Sequence, residues 1–193
     1  MPMYHGGNRQ LQDRFGSTRL ADRLIERLWR DQFKDEDKAF IETVGFFLAT
    51  ANAEGQPDCS FKGGPPGFVR VLSSALLAFP DYDGNGMFKS LGNILANANV
   101  GLLFIAIGEK PKRLRVNGLA SVHTDDPLLP EMPGAQAVVR VVPEHIFPNC
   151  PRYIPDLAGG SASEYVPCEG VEPKEPAWKG FDAFKDVVPP RHR

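Results

Sequence analysis

The chain is poor in cysteine and has no long hydrophobic run. Its three cysteines, Cys59, Cys150 and Cys168, are odd in number and lie far apart in a chain of 193 residues. This usage argues against a disulfide framework and fits a reducing compartment. No apolar stretch approaches the roughly 20 residues that a membrane-spanning helix needs. Residues 1–10 are polar and lack the apolar core of a secretory signal. We therefore expect a cytoplasmic protein.

The chain also lacks an excess of charge of either sign. Its 22 Lys and Arg residues and 24 Asp and Glu residues leave a net charge of −2. Such a balance provides no general attraction to nucleic acid or to an anionic membrane. With 42% hydrophobic and 24% charged residues, a chain of this length can bury a core and form one domain.

Two segments near the start have the spacing of amphipathic helices. The first follows Ser17, a candidate N-cap, and its apolar residues recur at helical intervals: Leu20, Leu24, Ile25 and Leu28. Asp35 is a candidate cap for a second, shorter helix, whose apolar face comprises Phe40, Ile41 and Val44. We expect these helices to form an N-terminal helical arm.

The middle of the chain reads as short strands with one inserted helix. A hairpin is predicted around the turn at residues 53–56, with Pro57 opening its return strand at a sheet edge. Further strands are predicted at residues 68–72, 76–80, 100–107, 114–122 and 135–143, and a helix at residues 87–97. The apolar run at residues 100–107 is typical of a strand buried on both faces. Six or seven strands at this spacing favour a mostly β, small closed barrel over a sandwich.

Two loops in this region could bind an anion. Residues 62–67, KGGPPG, combine a lysine with glycines that expose backbone N–H groups. The second loop, residues 79–86, runs into the start of the inserted helix, where Lys89 and Ser90 could add a charge and a hydroxyl. A plain turn and a solvated lysine explain the same residues equally well from spacing alone.

The order of these segments resembles that of a known family. The FFLAT hairpin, FKGGPPGFVRVL, LAFPDYDGN, KSLGNILANANVGLLF and RLRVNGLA are similar to the FMN-binding split barrels of the pyridoxamine 5'-phosphate oxidase-like superfamily. The likeness covers about residues 40–142 and is closest to the pyridoxamine 5'-phosphate oxidase-related FMN-binding proteins of bacteria. It implies an FMN-binding split β-barrel, a homodimer with FMN at the subunit interface, and an FMN-dependent oxidoreductase of unknown substrate.

The resemblance also implies cofactor-binding residues. Lys89 and Ser90 match the family's phosphate clamp, and Arg113 and Arg115 match a strand that reaches the cofactor. Together with Asn85 of the second loop, the full set is Lys62, Phe68, Val69, Arg70, Pro80, Asp81, Tyr82, Asn85, Lys89, Ser90, Arg113 and Arg115. No residue is assigned as a catalytic acid, base or nucleophile.

The chain departs from the true oxidases at two places. Ser90 replaces one charge of the basic clamp, and the C-terminal arginine and histidine pair is not recognisable in WKGFDAFKD or in residues 191–193. Oxidation of pyridoxamine phosphate itself is therefore not expected. The alternatives are a non-catalytic flavin-binding or redox-sensing module, or a split barrel that uses deazaflavin or haem.

Other candidate sites are weaker. His145 and Cys150 have no third ligand spaced near them, so we expect no metal site. His123 beside Asp125 and Asp126 resembles an acid–base pair, although a turn at the end of a strand explains it equally well.

The chain divides by composition near residue 150. We expect residues 1–150 to form the split-barrel domain with its helical arm, and residues 151–193 to form an extended segment packing on the barrel or on a partner subunit. This segment is rich in Gly, Pro, Ser and Glu, as a solvated linker would be. The three-residue spacing of Trp178, Phe181 and Phe184 indicates instead a helical turn with an aromatic face.

Overall fold

The computed structural model describes residues 3–108, 110–154 and 176–188. These residues divide into two compact units. The first comprises the described residues of Met1–Trp29, Ile107–Pro111 and Cys150–Arg193, and the second comprises Arg30–Ala106 and Lys112–Asn149. No helix among the described residues is long and apolar enough to cross a membrane.

The first unit contains two N-terminal helices, α1 (Gly6–Arg14) and α2 (Thr18–Leu28). The apolar spacing after Ser17 predicted α2 correctly. Ser17 is the N-cap residue, as predicted, but its side chain makes no capping bond and its hydroxyl instead donates to the main-chain oxygen of Gln12 at 3.5 Å. Helix α1 was not predicted, since its sequence GGNRQLQDR has a single large apolar residue and no stripe. A side-chain cap stabilises its start: His5 Nδ1 accepts from the Gly7 N–H at 3.2 Å.

The aromatic residues near the C-terminus also belong to the first unit. A short 3₁₀ helix spans Ala177–Gly180, so the predicted helical turn is confirmed. Trp178 meets Phe184 edge to face with ring centroids 5.8 Å apart, but Phe181 is exposed and lies off that face. The Arg23 guanidinium donates to the main-chain oxygen of Ala183 at 2.8 Å. Residues 155–175 and 189–193, including Cys168 and the terminal residues 191–193, lie outside the described part of the chain.

The second unit is a seven-stranded, entirely antiparallel sheet with two helices. Its strands are β1 (Phe46–Ala51), β2 (Pro57–Lys62), β3 (Arg70–Ser73), β4 (Leu76–Tyr82), β5 (Asn99–Ala106), β6 (Lys112–His123) and β7 (Ala135–Pro148). The helices are α3 (Asp35–Ile41) and α4 (Lys89–Ala96), and a short 3₁₀ helix spans Leu129–Glu131. The order across the sheet is β2-β1-β5-β6-β7-β4-β3. The sheet therefore has edges at β2 and β3, and the described strands do not close into a continuous ring.

The predicted hairpin is present as β1 and β2. Asn52 organises its turn, since its side-chain oxygen accepts from the N–H groups of Glu54 at 3.1 Å and Gln56 at 2.8 Å. Pro57 opens β2 on the sheet edge, where its missing N–H removes no ladder hydrogen bond. Gly55 has a φ of +81°, a left-handed conformation that favours glycine.

One buried face of the sheet forms the core. The rings of Phe79 and Phe104 pack against Phe46, with centroids 5.0 and 4.9 Å away. On β5 only Val100, Leu102 and Phe104 are buried, so this strand is not buried on both faces as its apolar run predicted. The continuous run reflects instead a central strand, paired with β1 and β6, whose second face is half-covered.

Helices α3 and α4 lie where the sequence predicted helices, with two corrections. The capping carboxylate of α3 is Asp37, which accepts from the Lys34 N–H at 2.9 Å, while Asp35 is the first helical residue. On α4 the buried face comprises Ser90, Leu91, Asn93 and Ile94, and Leu95 is 77% exposed. The buried face therefore includes polar residues that the sequence did not place there. Asn93 is among them because its Nδ2 donates to Thr50 Oγ1 on β1 at 3.0 Å.

Candidate functional site

A cavity of about 430 Å³ lies between the edge strand β2, the end of β4 and the start of α4. Its walls are residues 58–60, Lys62, residues 81–91 and Gln136. This volume falls in the range of roughly 300–1,000 Å³ that is typical of small-molecule pockets. All of these residues belong to the second unit.

Strand β2 contributes a polar wall. Asp58, Ser60 and Lys62 are half-buried, whereas the alternating residues Pro57, Cys59 and Phe61 are exposed. Because side chains alternate along a strand, these three polar groups share one face. That face meets α4: the Ser60 hydroxyl lies 3.0 Å from the Ser90 hydroxyl.

The start of α4 forms the second wall. Lys89 is the first residue of the helix and is exposed, while Ser90 is buried and donates to Asp58 Oδ2 at 3.4 Å. The first N–H groups of a helix have no intrahelical acceptor and carry a partial positive charge. Among the described residues, no carboxylate forms an ion pair with Lys89.

A buried carboxylate lies at the other end of the β2 wall. Asp81 is 7% exposed, and its carboxylate lies 3.6 Å from Lys62 Nζ. Gln136 Nε2 donates to the second oxygen of Asp81 at 2.9 Å. A buried carboxylate needs such partners, because loss of hydration is costly for a charged group.

Gln136 was missed by the sequence analysis. It lies on β7 where the pairing with β4 shifts register, between Ala137 opposite Asp81 and Ala135 opposite Tyr82. At this bulge three β7 residues, 135–137, lie opposite two β4 residues, 81 and 82. The additional residue, Gln136, turns toward the cavity. Only the strand register shows this, since nothing in the sequence AQAVV distinguishes Gln136 from a solvated strand residue.

The loop before α4 forms the rim. The Asn85 side chain accepts from the Met87 N–H at 3.0 Å, so it shapes the loop. Met87 and Phe88 are 70% and 52% exposed and present apolar surface at the mouth. Phe88 has a φ of +47°, an uncommon conformation for an aromatic residue.

The structure brings together half of the residues predicted for the site. Those lining the cavity are Lys62, Asp81, Tyr82, Asn85, Lys89 and Ser90. Phe68 and Val69 are buried in the core, and Pro80 is buried within β4. Arg70 lies on the far edge strand, where its guanidinium is 2.6 Å from Glu131.

The two predicted arginines on β6 do not line this cavity either. Arg115 is exposed, with its guanidinium carbon 6.0 Å from the centroid of the Phe147 ring. Arg113 is half-buried, and its main-chain oxygen accepts from the Asn149 N–H at 3.4 Å.

The acidic turn after β6 has a structural role. Both oxygens of Asp126 accept from the Arg140 guanidinium, at 2.6 and 2.9 Å, and Asp126 also caps the Leu128 N–H. These bonds from Arg140 lower the pKa of Asp126. His123 instead lies 2.8 Å from the Ser121 hydroxyl. The geometry favours the turn over the acid–base pair.

His145 is buried on β7, and burial lowers its pKa. Among the described residues, no group of three or more His, Cys, Asp or Glu side chains is arranged to hold a metal ion.

The chain segment that forms the cavity is similar in sequence to a known family. The family model described as pyridoxamine 5'-phosphate oxidase matches residues 33–155, more than half of the chain. The chain belongs to the pyridoxamine 5'-phosphate oxidase family. The mostly β split barrel with peripheral helices that the sequence predicted is confirmed as its fold.

Solved structures show more distant likenesses. HupZ from Group A Streptococcus is 20% identical over 68% of this chain and 98% of its own, with a TM-score of 0.48. HutZ, the heme storage protein from Vibrio cholerae, is 20% identical over 61% of this chain and 94% of its own, with a TM-score of 0.44. An FMN-binding protein from Syntrophomonas wolfei is 10% identical over 75% and 98%, with a TM-score of 0.45. No curated protein matches the chain.

Proposed function

We propose that this pyridoxamine 5'-phosphate oxidase family member binds FMN in the cavity between β2 and α4 and acts as an FMN-dependent oxidoreductase. The observation that carries the proposal is the helix start: Lys89 and the first N–H groups of α4 face a cavity whose opposite wall is polar. When bound, FMN supplies the redox chemistry, and the protein supplies binding, orientation and electrostatics.

The residues present fit a phosphorylated ligand at one end of the cavity. Lys89 provides a cation that forms no ion pair with a carboxylate among the described residues, and the first turn of α4 provides N–H donors. Charge-assisted hydrogen bonds to a phosphate are among the stronger polar contacts in proteins. Lys89 would therefore anchor the phosphate together with the backbone of the first turn.

The remaining walls fit the uncharged part of the ligand. Lys62, Asp81 and Gln136 offer both donors and acceptors within one hydrogen-bonded group. Met87 and Phe88 offer apolar surface at the rim. This combination of a few placed polar groups with apolar contact is characteristic of cofactor pockets.

We further propose that the protein works as a homodimer with FMN at the subunit interface. Exposed apolar side chains support this, since Phe61 and Phe47 form an edge-to-face pair with centroids 5.4 Å apart on the outer side of the β1–β2 hairpin. Leu95 of α4 is also largely exposed. Arg115, exposed on β6, would reach the pocket of a second copy rather than its own.

The direct test is flavin binding by the purified full chain. FMN titration followed by flavin fluorescence should show saturable binding, and Lys89→Ala should weaken it by roughly tenfold or more, because a charge-assisted hydrogen bond contributes about 1.5–3 kcal/mol. Lys38→Ala is a matched control, since Lys38 is an exposed lysine of α3 outside the cavity. Equal affinities of the Lys89 variant and the wild type would overturn the phosphate assignment.

The absorbance spectrum of the purified protein tests the cofactor class. We expect a flavin spectrum rather than a deazaflavin or haem spectrum. Among the described residues that line the cavity there is no histidine, a common axial ligand of haem. A flavin-loaded protein that shows no turnover with NAD(P)H and electron acceptors would support the non-catalytic flavin-binding alternative and contradict the oxidoreductase.

A further inference from the structure

The β2 wall places a carboxylate close to the end of the cavity where a phosphate would bind. The Ser90 hydroxyl donates to Asp58 Oδ2 at 3.4 Å and lies 3.0 Å from the Ser60 hydroxyl. Ser90 is buried in the first turn of α4 and follows Lys89 directly. The Asp58 carboxylate is therefore one hydrogen bond away from the helix start.

This contact determines what Ser90 can offer to a ligand. A serine hydroxyl has a single hydrogen, which is used when it donates to a carboxylate. While the Ser90 hydroxyl donates to Asp58, only the lone pairs of its oxygen remain for other partners, such as the Ser60 hydroxyl. The Asp58 carboxylate consequently competes with a phosphate oxygen for the Ser90 hydrogen.

The charges around the cavity point in the same direction. Its lining includes three aspartates (Asp58, Asp81 and Asp83) and two lysines (Lys62 and Lys89), so these side chains sum to −1. Lys62 is additionally paired with Asp81 at 3.6 Å. Lys89 alone is left to balance a phosphate against the nearby Asp58.

We propose that Asp58 is a specificity-determining residue that lowers the preference of the cavity for a flavin carrying a dianionic phosphate over a neutral flavin. It acts by like-charge repulsion and by holding the hydrogen of Ser90. The inference rests on the proposed flavin function of this cavity. It adds that nearby carboxylates partly cancel the positive charge at the phosphate end of the cavity. Asp58 on β2 determines how large this cancellation is.

The test compares FMN with riboflavin, which has the same ring and ribityl chain but no phosphate. The ratio of the riboflavin to the FMN dissociation constant measures how much the phosphate contributes to binding affinity. The ring and the ribityl chain are present in both ligands, so their contribution cancels. Asp58→Asn removes the charge, keeps the shape of the side chain and leaves a weaker, neutral acceptor beside the Ser90 hydroxyl. We expect the ratio to rise roughly several-fold, because the half-buried Asp58 carboxylate would repel a phosphate held at the start of α4 and is less screened than an exposed charge.

Asp83→Asn is the matched control. Asp83 also lines the cavity and carries the same charge, but it is exposed and forms no hydrogen bond or ion pair with α4 among the described residues. We expect the ratio to change less than twofold there, because solvent and salt screen an exposed charge. An unchanged far-UV circular dichroism spectrum and an unchanged midpoint of urea denaturation in both variants show that the fold is intact.

The outcomes separate the two levels of the proposal. A ratio that rises in Asp58→Asn and not in Asp83→Asn supports the role of Asp58. An unchanged ratio in Asp58→Asn, or an equal rise in both variants, overturns it while leaving the flavin function intact. If neither flavin binds to the wild-type protein, the proposed function fails and this inference fails with it.

Discussion

At the scale of single residues, the polar groups of the cavity are paired with one another. Lys62 and Gln136 contact Asp81, and Ser90 contacts both Ser60 and Asp58. These contacts provide hydrogen-bond partners for the carboxylates, and a ligand must replace or extend them. Lys89 differs because it stands outside both pairs, which is why its removal is expected to affect the ligand more than the fold.

A single glycine on β6 is required by packing rather than by chemistry. A Cβ at Gly118 would lie 2.1 Å from the main-chain oxygen of Val142 on β7, at the register shift between Asn117 and Gly118. Main-chain atoms in the middle of a sheet cannot move aside easily. Gly118→Ala should therefore lower the free energy of unfolding by about 1–3 kcal/mol or more, measured by urea denaturation.

Gly101→Ala is the control for this prediction. The nearest atom to its added Cβ is the Asn117 side-chain oxygen at 3.4 Å, an ordinary contact distance. We expect a small effect there. An equally small effect of Gly118→Ala would show that β6 and β7 can separate at this point, contrary to the geometry.

At the scale of elements, α4 is positioned by one buried polar contact as well as by its apolar face. Asn93 Nδ2 donates to Thr50 Oγ1 at 3.0 Å, and Leu91 and Ile94 bury beside it. Because the side chain of Asn93 is buried, the bond orients α4 against β1 and thereby sets the position of the helix start at the cavity. A purely apolar contact would leave the helix freer to rotate.

This contact can be tested by a double-mutant cycle. Asn93→Ala and Thr50→Val should each lower the free energy of unfolding by roughly 1–3 kcal/mol, because each leaves a buried polar group without its partner. The double variant should cost less than the sum, since no unsatisfied group then remains. Strictly additive losses would contradict a direct bond. If the bond positions α4, each single variant should also weaken FMN binding relative to Leu95→Ala, which alters an exposed position.

At the scale of the whole molecule, two buried ionisable groups make stability depend on pH. Burial lowers the pKa of His145 from its ordinary value of 6.5, so on acidification the unfolded chain gains this proton before the folded one. The hydrogen bonds from Arg140 lower the pKa of Asp126 from its ordinary value of 3.8, with the same sign. The contribution of Asp126 to the free energy of unfolding is complete above that ordinary value. It is lost as the pH falls toward the pKa of Asp126 in the folded protein.

The free energy of unfolding should therefore fall with acid in two ranges. The first lies just below about pH 6.5 and belongs to His145, and the second lies below about pH 4 and belongs to Asp126. Urea denaturation across pH measures both. His145→Gln should flatten the first range only, and an unaltered slope between about pH 6.5 and 5 in that variant would contradict the assignment to His145.

Local patterns were sufficient for most of the helices and strands of this protein. The spacing of α2 and the β1–β2 hairpin with its turn at residues 53–56 depend on neighbours in sequence, so they could be predicted before any contact was known. The family resemblance rested on the order of the same segments, and the family match confirmed it. Helix α1 was not predicted because its stability depends on capping by His5 and Asn8 rather than on an apolar stripe.

The sequence by itself therefore determined the strand and helix pattern, the family and the presence of Lys89 at a helix start. Only the tertiary structure decided which polar side chains contact one another. It placed Gln136 against Asp81 through a shift of strand register, directed Arg70 to Glu131 on the far side of the sheet, and brought Asp58 to Ser90. These contacts join residues up to 61 positions apart. They depend on strand order and register, which local periodicity does not specify.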